Sequence, residues 1–392
     1  MGFNAHERNL VALCCLGHAV CHLGLLVFPG ALLSIKEEFG LSPFAVTALP
    51  LMGYVLLGLG ALPAGLVIDK WGARRLLAVY FSALGFWALL TACSRSPALL
   101  VVGLTGLGAS ASLYHPAGLT LISHEVLLRG RAMGIHGIVG SLGVALGPVV
   151  GLAAGGLGSW RLAYVVVALA AGGGALWALT YARRTAASCR PKHTRADGVG
   201  PLRRFLPLLY LAMICGGLTY RALITVLPAF LVGESPQGAL EKGAAGTFSV
   251  LIVGGLGQLI GGRLSDSISP ARLYALLVAA AVPFAVLLGL GLGPSVPLAA
   301  LLAFFLFSVQ PVENNLLAQA TPPERRATLY GLKFAPAFGI GAFGTALAGA
   351  IWEFTGGLQG VFFCVAALLS LMAFFVGIAN RAARRAEASG PE

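Results

Sequence analysis

"GLVIDKWGARR", residues 65 to 75, and "GRLSDSISPAR", residues 262 to 272, are two imperfect copies of one short pattern. In each, a glycine (Gly65, Gly262) stands four positions before an aspartate (Asp69, Asp266), and an arginine (Arg75, Arg272) follows that aspartate by six. One copy would be an ordinary tight loop. Two copies at matching places in the chain imply a duplicated body. The residue types suit a loop between packed helices. Gly65 would let two helices approach closely, Asp69 would cap or pair across the loop, and Arg74 with Arg75 would mark a membrane boundary. The second copy is degraded, with Ser269 where the first has Gly72.

Outward from these loops the chain is apolar. Hydrophobic residues make up 58% of its 392 residues and charged residues 10%, with a mean hydropathy of +0.88. Soluble domains are far more polar, so this composition reads as an integral membrane protein with no room for a large soluble domain. A membrane helix needs about 20 apolar residues, which allows roughly a dozen spans. Apolar runs and their Pro, Gly and charged breaks place helices at 10–33, 44–68, 75–94, 97–123, 132–156 and 160–181, then at 204–232, 242–265, 272–292, 296–319, 328–353 and 357–379. The expected architecture is all-α: twelve transmembrane helices in two pseudo-symmetric six-helix halves. Residues 1–182 form the first half, 183–203 a basic linker, 204–380 the second half and 381–392 a tail.

Charge sets the orientation. With both termini inside, only Lys36, Arg95, Arg161 and Lys242 fall on the outer side, and Arg221 and Lys333 lie within helices, so 20 of the 26 Lys and Arg are cytoplasmic. The net charge of +12 is then a set of topological anchors facing anionic lipid, and no nucleic-acid partner is implied. The first apolar run is read as a retained helix of a multi-pass, bacterial-type inner-membrane protein. The seven cysteines sit mostly in apolar helices and suggest no disulfide framework.

"GSLGVALGPVVG", residues 140 to 151, carries small residues every three or four positions before Pro148, a pattern that lets helices pack closely and bend. "SLYHPAG" (112–118), "RGRAMGIHG" (129–137), "YRALITVLPAFL" (220–231) and "AQATPPERRATLYGLKF" (318–334) are further distinctive stretches. Taken with the duplicated loop, the chain resembles the major facilitator superfamily, and these stretches resemble its fosmidomycin-resistance-type, drug:proton antiporter-like branch. That resemblance implies a substrate cavity lined by helices 1, 4, 7 and 10, and conformational or gating roles for Gly65, Asp69, Arg74, Arg75, Gly262, Asp266, Arg272, Gly147 and Pro148. Where that group tends to carry an acidic residue four positions after a first-helix histidine, this chain has His18 followed by His22, and its fourth helix lacks the Arg common in the antiporter branch.

Each of those four helices holds polar groups within its apolar run: His18 and His22; Tyr114 and His115; Tyr220 and Arg221; Gln310, Glu313, Asn314 and Asn315. Polar groups at bilayer depth are costly unless they face protein or water, which marks them as functional candidates. Glu313 is the first candidate for proton coupling, because a carboxyl desolvated in the membrane takes a proton more readily than one in water. His115 and His18 are the alternative carriers. A permanent Arg221–Glu313 ion pair is the structural alternative. His18, His22, Tyr114, His115, Tyr220, Arg221, Gln310, Asn314 and Asn315 are the substrate-binding candidates. Cys14, His18 and Cys21 fall within about 60° on a helix, with His22 beside them, so a transition-metal site is a further possibility. His136 reads as packing or gating, and His124 and Glu125 as a solvated helix end.

The expectation is a proton-coupled secondary transporter with a small-molecule substrate, exporting an organic compound that is anionic or amphipathic. Proton-coupled import of a small carboxylate and transport of a transition metal are the alternatives within transport. No H-E-x-x-H, G-x-S-x-G or nucleotide-binding loop occurs, which argues against an intramembrane enzyme or direct ATP drive. No cofactor is expected, and a self-contained pair of halves predicts a monomer.

Overall fold

A computed structural model describes residues 3–127, 129–184, 206–233, 239–319 and 335–388. Among these residues eleven helices are long and apolar enough to cross a membrane, and a bent pair counted as one span makes twelve. The linker from 185 onward, Lys333 with the start of the expected eleventh helix, and residues 389–392 lie outside the described residues. So do the side chains of Asp69 and Asp266.

Helix α1 (Ala5–Phe39) is longer than its apolar run because it continues through polar residues at both ends before its caps. Asn4 Oδ1 accepts from the Glu7 amide at 2.8 Å while Glu7 Oε2 accepts from the Asn4 amide at 3.0 Å, a reciprocal capping box. Gly40, in the left-handed region at φ 59°, ends the helix. The second span, expected as one helix over 44–68, is broken into α2 (Pro43–Ala48), α3 (Leu51–Leu59) and α4 (Ala61–Trp71), with a 42° bend at Gly60. Pro50, which has no N–H to continue the ladder, stands at the separate break between α2 and α3.

Beyond α5 (Ala73–Ala92), the fourth span is likewise two pieces, α6 (Pro97–Ala111) and α7 (Tyr114–Glu125). The Pro116 ring excludes the usual bond to the Ser112 carbonyl four residues back, which explains the break. Helices α8 (Arg129–Gly156) and α9 (Arg161–Arg184) complete the first set. The second set comprises α10 (Leu206–Gly233), α11 (Ala239–Ser267), α12 (Pro270–Gly289), α13 (Ser295–Gln319), α14 (Gly344–Thr355) and α15 (Gln359–Ala388). A π-helical turn (Ala335–Ile340) and a short 3₁₀ turn lead into α14. Helix α15 continues past residue 380 into the segment read as a tail.

Two compact units result: residues 1–191 with 227–248, and residues 192–226 with 249–392. The stretch 227–248, which the sequence reading assigns to the second half, thus groups with the first unit. In that unit α1 lies along α8, and the small-residue stripe explains why. A β-carbon at Gly147 would stand 2.7 Å from Leu26 Cβ, and one at Gly151 would stand 2.8 Å from the Ala31 amide nitrogen. Such separations require bare backbone. In the second unit, α12 packs on both α13 and α15.

The duplicated loop departs from expectation at its glycines. A β-carbon at Gly65 would meet nothing within 4 Å, so close helix approach is not what that residue provides. Gly72 is the strained position instead, at φ 80° and ψ 145° between α4 and α5. Its counterpart Ser269 has φ −47° and ψ 120°, so the second copy turns by a different backbone route. Gly72→Ala is expected to destabilise the protein by about 1–3 kcal/mol, while Gly65→Ala leaves the thermal midpoint in detergent unchanged. Equal midpoints for the two variants would refute the assignment.

Candidate functional site

The first unit gathers four imidazoles. His18 and His22 stand one turn apart on α1, His115 lies in the first turn of α7, and His136 lies on α8. The break before α7 sets Tyr114 and His115 at a helix start, where Tyr114 is fully buried. His18 Nδ1 lies 2.8 Å from the His136 carbonyl oxygen, so this nitrogen carries the proton. His18 Nε2 is then an acceptor, and His22 Nε2 donates to it at 3.1 Å. The His136 ring stacks behind His18 at 4.1 Å, and His115 meets His18 edge-on at 5.2 Å. Tyr114 donates its hydroxyl to the Cys14 carbonyl and accepts from His136 Nε2 at 2.7 Å. A β-carbon at Gly140 would overlap the His18 ring, so the stripe on α8 also makes room for this imidazole.

The structure therefore brings His18, His22, Tyr114 and His115 together. It also adds His136, read from sequence as a packing or gate residue. A signal existed: His136 precedes Gly140 by four positions, on the face that packs against α1. The cysteines do not join. Among the described residues, the imidazole nitrogens of His18, His22 and His115 form the one group of metal-capable atoms that converge, all within 4.8 Å of one another. Cys14 and Cys21 are instead buried in helix packing, with Cys21 Sγ 3.9 Å from the Ala111 carbonyl oxygen. The ligand set Cys14, His18, Cys21 and His22 is corrected accordingly, because a helix face shared in projection does not make side chains reach one point.

In the second unit Glu313 on α13 is 7% exposed, and Tyr274 on α12, fully buried, donates its hydroxyl to Glu313 Oε1. Gly216 on α10 leaves space beside the carboxylate: a β-carbon there would lie 4.0 Å from Oε1. Arg221, one helical turn and a little more along α10, is 3% exposed, and its guanidinium carbon stands 5.8 Å from the Tyr220 ring centre. Tyr220 packs against Phe307. Two of the predicted polar residues tie α13 to α11. Gln310 Oε1 accepts from Gln258 Nε2 at 3.1 Å, and Asn315 Nδ2 donates to the Ser265 carbonyl at 3.0 Å. Asn314 is exposed. Sequence reasoning missed Tyr274 because it lies on the expected ninth helix, outside the four that the resemblance assigned to the cavity.

Two ion-pair networks stand away from these groups in the first unit. Arg74 donates through Nε and Nη2 to the two carboxylate oxygens of Glu125 at 3.0 and 2.5 Å, with His6 and Tyr181 on the same carboxylate. Glu125 is thus a half-buried hub rather than a solvated helix end. Arg75 and Arg272 are exposed. Arg161 pairs with both oxygens of Glu38, which also accepts from the Trp160 indole at 2.7 Å.

The chain is 29% identical over 138 residues to the probable L-galactonate transporter of Escherichia coli K12, covering 34% of this chain and 30% of that protein. It is 35% identical over 136 residues to a puromycin resistance protein of Streptomyces alboniger, covering 32% and 25%. It is 28% identical over 243 residues to the 3-(3-hydroxy-phenyl)propionate transporter of Escherichia coli K12, covering 58% of each. Each of these matches spans less than two thirds of the relative's own length. In fold, the chain superposes with a TM-score of 0.80 on a bacterial homologue of the human lysosomal transporter Spinster, at 16% identity over 97% of this chain and 98% of that one. The model of the Major Facilitator Superfamily matches residues 14–332. With that match running through both units and a helical fold of up to twelve spans, the chain belongs to the Major Facilitator Superfamily, a family of membrane transporters and not of enzymes.

Proposed function

We propose that the protein is a proton-coupled secondary transporter that exports a small organic solute, anionic or amphipathic, in exchange for protons by alternating access. The observation that carries this reading is Glu313, a carboxyl buried at 7% exposure inside an apolar unit and held by the Tyr274 hydroxyl. A carboxyl enclosed within a membrane span is the kind of group that marks an ion or proton pathway. Arg221, Tyr220, His18, His22, Tyr114 and His115 are the binding candidates, and the Arg221 guanidinium is the charged group among them suited to an anionic solute. Gln310, Asn314 and Asn315 are the further polar contacts. Gly147, Pro148 and the duplicated loop, with Gly65, Asp69, Gly262 and Asp266, belong to the moving parts. The working unit is one chain in a bacterial-type inner membrane, with both termini cytoplasmic.

Import of a small carboxylate together with protons is the second reading. It is favoured by two relatives named for carboxylates, a sugar acid and an aryl propionate. One experiment separates the two. Proteoliposomes with an internal pH dye receive a panel of small carboxylates and amphipathic drugs. Proton movement opposite to the solute supports antiport, and movement with it supports symport. Solute flux with no proton movement would overturn both.

A further inference from the structure

We infer that His18, His22 and His115 form a binding site for one divalent transition-metal ion. A tetrahedral zinc centre with Zn–N bonds of about 2.0–2.1 Å holds its nitrogens about 3.3 Å apart. His18 Nε2 and His22 Nε2 are already 3.1 Å apart, and one nitrogen from each of His18, His22 and His115 lies within 4.8 Å of the others. Small ring rotations, chiefly of His115, bring the three donors to one point.

The surroundings resemble those of metal ligands. A ligating imidazole characteristically donates its other N–H to a carbonyl or carboxylate, which fixes the tautomer and aims the lone pair. His18 does this: Nδ1–H is committed to the His136 carbonyl at 2.8 Å, so Nε2 presents a lone pair to His22. His136 stacks behind the ring and Gly140 leaves it space, so His18 is held from two sides. His22, which donates to that lone pair, needs only to move its proton to Nδ1 for both nitrogens to face the ion. Three neutral imidazoles select zinc, copper or nickel over magnesium or calcium, which require oxygen ligands. A doubly charged ion within a membrane span is costly without a compensating anion, so the fourth position suits a water-derived or solute anion.

The test uses the tag-free full chain in detergent, with Zn²⁺ binding followed by equilibrium dialysis and Co²⁺ by its visible ligand-field spectrum. We expect one tightly held ion per chain, displaced by neither Mg²⁺ nor Ca²⁺. His22→Ala and His115→Ala should each weaken binding at least about tenfold, whereas His6→Ala, remote from the triad, should leave it unchanged. Gly140→Ala removes no donor but collides with the His18 ring, and should weaken binding as well. If the variants prove unstable, the wild-type Co²⁺ spectrum decides alone: a spectrum identical to that of aqueous Co²⁺ would overturn the site, as would full binding by the triple His18, His22, His115 alanine variant. Because binding is read at equilibrium without a gradient, its outcome is independent of the transport reading.

Discussion

Glu313→Gln is expected to abolish gradient-driven solute movement while leaving solute exchange at equilibrium intact. The amide has nearly the same shape as the carboxyl, and its oxygen can still accept the Tyr274 hydroxyl bond, so packing among α10, α12 and α13 should survive. What it cannot do is carry a proton. Each coupled proton under one unit of pH gradient is worth about 1.4 kcal/mol, or about a tenfold concentration ratio. Wild-type proteoliposomes should therefore sustain about that ratio per proton coupled, and the variant a ratio near one. Tyr274→Phe removes the hydrogen bond but keeps the carrier, and should retain coupling. If Glu313→Gln still concentrates solute, the proton resides elsewhere, with His18 and His115 next in line.

The largest expected effect on stability is at Gly151. A β-carbon there would press on the Ala31 amide nitrogen at 2.8 Å and the Gly30 carbonyl carbon at 3.0 Å, both of them backbone atoms of α1 that no rotamer change can clear. Gly151→Leu must either push α1 away from α8 or bend one of them. Overpacking of this kind costs about 3 kcal/mol or more, which for a unit of this size lowers the thermal midpoint by about 6–12 °C. The matched control is Gly173 on α9, where an added β-carbon meets nothing within 4 Å. Gly173→Leu should melt with the wild type. Similar melting of the two variants would show that α1 and α8 are not held by this stripe.

The same stripe illustrates how the sequence could be read and where reading stopped. The recurrence of small residues from Gly140 to Gly151 marks a packing face without the partner being known. That the partner is α1, and that one of those glycines accommodates an imidazole rather than another helix backbone, depends on the rotation of α8 about its axis. Glu125 shows the converse. At the end of an apolar run it reads as solvated, yet Arg74, 51 residues earlier in a loop motif, reaches both of its oxygens. No local pattern encodes that meeting. The breaks at Pro50 and Pro116 were legible in principle, since proline cannot donate to the preceding turn. Hydropathy averaged over a span hid them, because a bent span is as apolar as a straight one.

Composition, the spacing of apolar runs and the duplicated loop by themselves determined that this is a membrane protein of up to twelve spans with an internal repeat. Those are one-dimensional properties: a bilayer of fixed thickness selects segments of fixed length whatever their neighbours. The candidate polar residues were also visible, because each one is anomalous in its own apolar run. Only the tertiary structure decided which of them meet. It joined His136 to His18, assigned Tyr274 to Glu313, drew His115 into a triad and left Cys14 and Cys21 in the packing. The reason is geometric: contact between side chains on different helices depends on axial rotation, bend and depth, and these are set by the packing of all the helices in a unit together.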